Sequence, residues 1–250
     1  MTSLISRSTA GSRRTAVLTG ASAGLGRALA HRLAAGDWRL VVDARHPAGL
    51  DALRCELIDQ VGPSVELVTV PGDVADPHHR SQLIDAAGER IDALINNASD
   101  LGAPLSTLRT ISEETVERLW AVNVAAPLAL IRLAVPRMVT GGTVINISSD
   151  AAIEHYPTWG GYGATKAALD HLTLTLATEE GRLRFVAVDP GDMRTAMHQA
   201  AFPGEDISDR PEPDVSAGRL VALLDSSLAS GRYRAAELPD PAGHPQGARR

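Results

Sequence analysis

The residue pair with the clearest chemical potential is Tyr162 and Lys166, which stand four positions apart. The chain has 24 basic residues, and Lys166 is the single lysine among them; all the others are arginines. A compact ammonium can perform tasks that a planar guanidinium cannot. On a helix, residues four apart are neighbours, so the ammonium would lie beside the phenol and favour its ionisation. The alternative is an ordinary lysine that stands on a helix face by chance.

A second hydroxyl group can join this pair. Ser149 follows the apolar run 143–147 and precedes Tyr162 by 13 positions. At the end of a strand, Ser149 could converge with Tyr162 on one carbonyl oxygen, while Lys166 lies one helical turn further on. Such a set is suited to moving a proton on and off an oxygen atom at neutral pH.

Short apolar runs alternate with longer amphipathic stretches, which is the pattern of repeating strand–helix units. Continuous apolar runs are typical of strands that are covered on both faces. The fold class predicted is therefore α/β, a parallel sheet between two helical layers in a three-layer α/β/α sandwich. The predicted strands cover 15–19, 40–43, 65–70, 93–96, 143–147 and 184–188, and the helices 25–35, 50–60, 76–89, 112–138 and 164–180. Ligands of such sheets bind beyond the carboxyl ends of the strands.

A glycine-rich segment, residues 19–26, follows the first predicted strand. Its glycines permit a tight turn and a close approach of phosphate to the backbone, and the helix that follows points its amide groups at that phosphate. The alternative is an ordinary connection between a strand and a helix. The residues of this segment that we expect to contact a nucleotide are Gly20, Ser22, Gly24, Leu25 and Gly26.

Two residues at the end of the second predicted strand favour different nucleotides. An acid near this point holds a ribose 2′-hydroxyl in dinucleotide folds, whereas an arginine suits a 2′-phosphate. Arg45 could bind that phosphate with two parallel hydrogen bonds. Asp43 could serve a 2′-hydroxyl instead, so the residues alone leave both NADP(H) and NAD(H) open.

Three later strand ends supply further candidates. Asp73 could receive an adenine amino group, although the alternative for this acid is a helix cap. Residues 96–99 allow backbone contact with a sugar, or form a plain turn. The turn 189–195 could cover a nicotinamide. The candidates are Asp73, Val74, Asn97, Ala98, Pro190, Gly191 and Thr195.

Composition limits the classes of partner. The net charge of −6 argues against nucleic acid and anionic membrane surfaces as partners. No apolar run is expected to span a membrane, and no metal site is expected. The lone cysteine, Cys55, excludes an intrachain disulfide and suits the reducing cytoplasm.

The chain length fits one domain. We expect a flexible N-terminal extension over residues 1–13 and a single domain over 14–236. A flexible tail is expected over 237–250, because its prolines exclude a helix or an internal strand.

Taken in order, these motifs resemble those of the short-chain dehydrogenase/reductases in their single-domain form. The resemblance covers roughly residues 15–228. It depends on the glycine pattern of residues 19–26, the pair 73–74, the Asn-Asn-Ala motif at 96–98, Asn123, Ser149, the pair Tyr162 and Lys166, and the Pro-Gly and threonine of 190–195. It implies a Rossmann-type doubly wound parallel sheet.

The resemblance also implies roles. Tyr162 would be the general acid/base and Ser149 would orient the substrate oxygen. Lys166 would hold the nicotinamide ribose and lower the pKa of Tyr162, and Asn123 would hold a water that links Lys166 to solvent. Arg45 marks the NADP-preferring pattern of the family.

Two departures from the family pattern bear on these implications. Ser99 stands where the family often has glycine, beside the expected nicotinamide position. Residues 230–235 look like a shortened version of the closing segment through which the family commonly assembles. A homo-oligomer, dimer or tetramer, is still expected.

The function expected is that of a cytoplasmic NADP(H)-dependent oxidoreductase acting on a small-molecule carbonyl or secondary alcohol. Two alternatives remain open at this point. One is a redox-neutral member of the same family, an epimerase or cyclase. The other is a non-catalytic NADP(H)-binding sensor, which would have no need of Tyr162 and Lys166 together.

Overall fold

A computed structural model describes residues 13–240. Seven strands form one parallel sheet in the order β3-β2-β1-β4-β5-β6-β7. Their bounds are β1 Thr15–Leu18, β2 Arg39–Ala44, β3 Leu67–Pro71, β4 Ile91–Asn96, β5 Met138–Ile147, β6 Arg184–Asp189 and β7 Gly231–Arg234. The chain changes direction across the sheet between β1 and β4, and a crevice opens at such a point. The predicted doubly wound α/β fold is confirmed.

Helices cover both faces of this sheet. Their bounds are α1 Gly24–Ala35, α2 Pro47–Val61, α3 Pro77–Ala87, α4 Glu113–Trp120, α5 Ala126–Ala134, α6 Gly160–Glu179, α7 Ala196–Ala201 and α8 Pro213–Leu224. Successive strand residues serve opposite faces, as a pleated strand requires. Ala16 and Leu18 of β1 pack with α1, α2 and α8, whereas Val17 packs with α3 and α5.

The stretch predicted as a helix over 112–138 is helical up to Arg137, but it is not one regular α-helix. The stretch begins at the predicted start, where the Ser112 side chain accepts a hydrogen bond from the Thr115 amide. It then divides into α4, a π-helical turn at Ala121–Ala125, α5 and a 3-10 turn at Val135–Arg137, and Met138 already belongs to β5. The π turn contains Asn123, and such turns are frequent at functional sites.

Contrary to expectation, the same stretch is long and apolar enough to span a membrane. Within the described residues it is the one such candidate, Glu113–Arg137, and half of its most apolar window is buried in the protein. Leu130, Ile131 and Ala134 pack against the sheet. The stretch therefore has the burial of a core helix.

Residues next to both predicted ends of the domain contact it where the structure describes them. Arg13, assigned to the extension, forms ion pairs with Asp37 and Glu66. Leu238, assigned to the tail, is 0% exposed in the core formed with α8. Residues 230–235, expected as a shortened closing segment, supply β7 itself. Residues 1–12 and 241–250 lie outside the described part of the chain.

Candidate active site

The ends of β1, β2, β4, β5 and β6 surround one cavity of about 320 Å³. Every residue expected to bind the nucleotide lines this cavity, and so do Ser149, Tyr162 and Lys166. Asn123 is the expected residue that does not line it. The cavity lies where the doubly wound sheet leaves its crevice, so the fold accounts for this convergence.

The glycine-rich turn is shaped to receive phosphate. Gly20 has φ +70°, a conformation that side chains disfavour. A Cβ on Gly26 would stand 2.2 Å from the Gly20 carbonyl oxygen, so α1 can approach the turn this closely with glycine alone. Helix α1 has no side-chain cap and no acid in its first turn. Its first amides are therefore left for an anion, and the turn fits a dinucleotide phosphate.

Asn97 supports this turn. Its Nδ2 atom donates hydrogen bonds to the carbonyl oxygens of Thr19 and Gly20, at 2.8 and 3.2 Å. The amides of Asn97 and Ala98 both donate to the Thr19 hydroxyl. The Asn97 side chain thus joins the ends of β1 and β4.

Asp43 is occupied by the protein. Its carboxylate is 1% exposed. Oδ1 accepts a hydrogen bond of 2.7 Å from the Gly20 amide, and Oδ2 lies 3.0 Å from His79 Nε2. Burial raises the pKa of Asp43, against the opposing effects of His79 and Gly20. An acid already bound to the glycine-rich turn and to a histidine is poorly placed to serve a ribose 2′-hydroxyl.

Arg45 is exposed at the rim of the same cavity. It makes no hydrogen bond or ion pair within the described part of the chain. A guanidinium with all of its donors available, two residues beyond an occupied acid, suits a 2′-phosphate.

Arg118 was not foreseen as a site residue. It lies on α4, and its Nη1 is 2.8 Å from Asp73 Oδ2, while its Nε is 3.3 Å from Asp100 Oδ2. Burial acts to raise the pKa of Asp73, but the hydrogen bonds from Arg118 and the Ala75 amide lower it below its ordinary value. Asp73 is therefore a paired carboxylate at the expected adenine position.

Helix α6 places the catalytic candidates. Tyr162 and Lys166 lie one turn apart on its buried face, and Lys166 Nζ is 5.5 Å from the centre of the Tyr162 ring. A Cβ on Gly163 would stand 2.5 Å from the Ala151 carbonyl oxygen, so glycine lets α6 approach the residues that follow β5. Those residues include Ser149, whose hydroxyl donates to Asp150 at 2.9 Å.

The protein alone sets unusual pKa values for this pair. Burial raises the pKa of Tyr162 to about 12, although hydrogen bonds with Ser99 and Ser149 act to lower it. Burial lowers the pKa of Lys166 to about 8, against the opposing effect of Asp170. The resemblance implied a lowered pKa for Tyr162. The value is raised because burial outweighs the hydrogen bonds when no cationic ligand is present.

Asn123, which is buried, is joined by a hydrogen bond to Ser99, which is half-buried and lines the cavity. Asn123 Nδ2 donates to the Asp100 carbonyl oxygen at 2.8 Å and to Thr165 Oγ1 at 3.0 Å. Its Oδ1 accepts from the Asp100 amide and from the Ser99 hydroxyl at 3.1 Å. The Asn123 side chain is therefore fully engaged with protein groups. Ser99 contacts both Asn123 and Tyr162. From the sequence we noted only that Ser99 replaces a glycine of the family beside the expected nicotinamide position.

Comparison with known proteins identifies the family of this chain. Residues 14–206 match the family model described as short chain dehydrogenase. The chain belongs to the short-chain dehydrogenase family. An uncharacterized oxidoreductase of Saccharomyces cerevisiae is 33% identical over 87% of this chain and 87% of its own. Rat sepiapterin reductase is 36% identical over 74% of this chain and 76% of its own.

One similar solved structure of this family contains NADP. A short chain dehydrogenase from Shigella flexneri complexed with NADP has a TM-score of 0.82 and 25% identity. The match covers 89% of this chain and 97% of that one. This chain is therefore an oxidoreductase of a family whose members bind nicotinamide cofactors.

Proposed function

We propose that this short-chain dehydrogenase is an NADP(H)-dependent oxidoreductase that acts on a carbonyl or secondary alcohol group of a small molecule. The observation that carries the proposal is the buried face of α6, where Tyr162 and Lys166 lie one turn apart and line the same cavity as Ser149 and the glycine-rich turn. When bound, the cofactor would supply or accept the hydride at the substrate carbon.

The side chains of this chain provide the proton chemistry. With a pKa of about 12, Tyr162 is protonated at neutral pH and can donate its proton to the carbonyl oxygen during reduction. The Ser149 hydroxyl would donate a hydrogen bond to the same oxygen. With a pKa of about 8, Lys166 is mostly charged at neutral pH and would stabilise the phenolate that remains.

Preference for NADP(H) over NAD(H) is part of the proposal. It is supported by the two residues at the end of β2, because Asp43 is occupied by Gly20 and His79 whereas Arg45 is available. We propose that Gly20, Ser22 and the first turn of α1 bind the pyrophosphate. Asp73 and Val74 would contact adenine, and Asn97, Ala98, Pro190, Gly191 and Thr195 would contact the nicotinamide riboside.

A fluorescence titration of the purified protein with NADPH and with NADH tests the cofactor site. We expect NADPH to bind more tightly, and Arg45→Ala to remove that preference. Arg109→Ala, which removes an exposed arginine outside the cavity, is the matched control. Tighter binding of NADH would refute the role of Arg45, and binding of neither would refute the cofactor assignment.

The catalytic assignment has a separate test. Tyr162→Phe should abolish turnover and leave NADPH affinity within about twofold, while Tyr233→Phe, on β7, should be fully active. Full activity in Tyr162→Phe would refute the mechanism. Isomerised or cyclised product with no net change in cofactor would instead identify a redox-neutral enzyme. Cofactor binding without turnover of any carbonyl or alcohol would favour the sensor alternative.

We further propose that the protein is a cytoplasmic homo-oligomer. The free and exposed Cys55 is compatible with a reducing compartment. Light scattering coupled to size-exclusion chromatography distinguishes dimer from tetramer, and a monomer would contradict the proposal.

A further inference from the structure

Aromatic side chains are concentrated at the catalytic end of the cavity. The chain has three Trp, three Tyr and two Phe. Tyr156, Trp159, Tyr162 and Phe202, which are half of this set, form one cluster around Trp159. The ring centre of Trp159 lies 5.9 Å from Tyr162, 6.3 Å from Tyr156 and 5.9 Å from Phe202. Trp159 and Tyr162 line the cavity.

The position of Trp159 follows from the sequence of α6. Trp159 is the residue that precedes this helix, three positions before Tyr162. Residues three apart lie on one face of a helix, so the indole is placed beside the catalytic phenol. Tyr156 and Phe202 pack against the same indole. A ring that is already fixed loses little freedom when a ligand packs on it.

Two arginines, Arg118 in the cavity lining at the expected adenine position and Arg210 beside the lining residue Asp192, are paired with carboxylates. Arg118 is held by Asp73 and Asp100. Arg210 lies 3.6 Å from Asp192. A carboxylate or phosphate on the substrate would therefore find these guanidiniums engaged. A polyhydroxylated ketose would lose hydration against a wall that includes Trp159.

We propose that the substrate is an uncharged carbonyl compound with a planar aromatic or heteroaromatic ring attached at or next to the reacting carbon. This proposal rests on the proposed function, because Tyr162 fixes where the carbonyl oxygen lies. A ring joined to that carbonyl meets the Trp159 indole when the oxygen meets the phenol. Edge-to-face or offset packing of the two rings then adds to the burial of apolar surface.

Matched ketones test the proposal by NADPH consumption. Acetophenone and cyclohexyl methyl ketone differ in the aromaticity of the ring, and we expect kcat/KM to favour acetophenone by about 3- to 10-fold. Trp159→Leu should remove this preference, and Trp159→Phe should retain most of it, with thermal unfolding confirming that each variant is folded. Equal kcat/KM for both ketones, or higher kcat/KM for benzoylformate or an open-chain ketose, would overturn the substrate class and leave the proposed reduction intact.

A binding experiment separates this proposal from the proposed function. Calorimetry of the protein saturated with NADP⁺ needs no turnover, and benzamide should bind more tightly than cyclohexanecarboxamide. Preferential binding of benzamide, with no reduction of any ketone, would overturn the proposed reduction but support the aromatic site. Equal binding of the two amides would overturn the aromatic site.

A different observation points to a residue on the edge strand. Arg232 of β7 donates from Nε to Asp170 Oδ2 at 2.7 Å and from Nη2 to the Ser149 carbonyl oxygen at 2.9 Å. Asp170 lies one turn after Lys166 on α6 and is buried. One guanidinium therefore joins the backbone of Ser149 to the helix that carries Tyr162 and Lys166.

We infer that Arg232 is a positioning residue that fixes Ser149 relative to α6 and offsets the charge of Asp170 near Lys166. Asp170 favours the charged form of Lys166, so loss of the opposing guanidinium should strengthen that effect and raise the pKa of Lys166. A role confined to stability would leave that pKa unchanged.

The pH dependence of ketone reduction by Arg232→Met tests this inference. We expect kcat to fall about 10-fold with KM for NADPH nearly unchanged, and the basic limb of the pH–rate profile to move upward. Arg232→Lys should recover part of kcat because the charge is kept. An unmoved basic limb and an unchanged kcat in Arg232→Met would overturn the inference. A lower unfolding temperature with an unmoved limb would also overturn it, because it would indicate a structural role alone.

Discussion

Replacement of Lys166 by methionine should make the protein more stable at neutral pH. Lys166 is 2% exposed, and its pKa is about 8 in the folded protein against an ordinary 10.5. Holding the proton on this buried amine at pH 7 therefore costs about 3 kcal/mol. Methionine removes that cost but leaves the Ile147 carbonyl without its 2.8 Å donor, at about 1 kcal/mol. We expect a net gain of about 2 kcal/mol.

The direction in which the free energy of unfolding changes with pH follows from the number of protons bound by the folded and unfolded states. Between pH 8 and 10.5 the unfolded chain keeps the Lys166 proton that the folded protein has released, so wild-type stability rises with pH. At pH 9.5 the remaining cost is about 1.4 kcal/mol, and the advantage of Lys166→Met should nearly vanish. Tyr162, with a pKa of about 12, keeps its proton in the folded protein over this range. In the unfolded chain it ionises near pH 10 in both wild type and Lys166→Met, so its contribution cancels in their comparison.

Urea unfolding at pH 7.0 and 9.5, without cofactor, measures the effect. Arg132→Met removes an exposed positive charge and should behave like wild type at both pH values. Lys166→Met should have no reductase activity in the same preparation. If Lys166→Met is less stable than wild type by the same amount at both pH values, the lysine is not the buried, destabilised cation inferred here.

Three further predictions concern other parts of the molecule. In Asp43→Ala the Gly20 amide and His79 lose their acceptor. The free energy of unfolding should therefore fall by at least about 2 kcal/mol. In a fluorescence titration, NADPH and NADH binding should weaken equally. A changed cofactor preference would show that Asp43 contacts the ribose. Ser99→Ala should raise the pKa of Tyr162, because a hydrogen bond that lowers that pKa is lost. The pH profile of alcohol oxidation should then move to higher pH. An unchanged profile would refute the contact between Ser99 and Tyr162. Leu238→Ala should lower the free energy of unfolding in urea by about 2–5 kcal/mol. A change near zero would show that Leu238 is not part of the core.

The sequence predicts the sheet well because its signals are local. Apolar runs of four to six residues, each followed by small or polar residues, locate six of the strands and the residues at their carboxyl ends. The same reasoning does not predict how the stretch 112–138 is divided into separate elements. Its apolar periodicity continues through the π turn around Asn123, and no local signal separates the last helical turn from Met138, the first residue of β5.

The part of the site that the sequence does not predict depends on partners distant in the chain. Asp43 and Arg45 remain ambiguous until the fold brings His79 against Asp43, 36 residues away. Arg232 gives no signal at all, since Asp170 lies 62 residues earlier on another element. Such pairings arise from packing across the sheet, which composition and spacing do not encode.

The distribution of cations explains why one lysine stands among so many arginines. Arginines here use their forked donors on backbone carbonyls, as Arg39 does with Ala86 and Ala87. A guanidinium at position 166 would remain charged at every accessible pH and could not relieve its burial by losing a proton. The ammonium can be buried there because its pKa falls only to about 8, so the charge needed at neutral pH is retained. Burial also lowers the pKa of Arg184, but Lys166 is the buried cation that lies beside the proposed catalytic phenol.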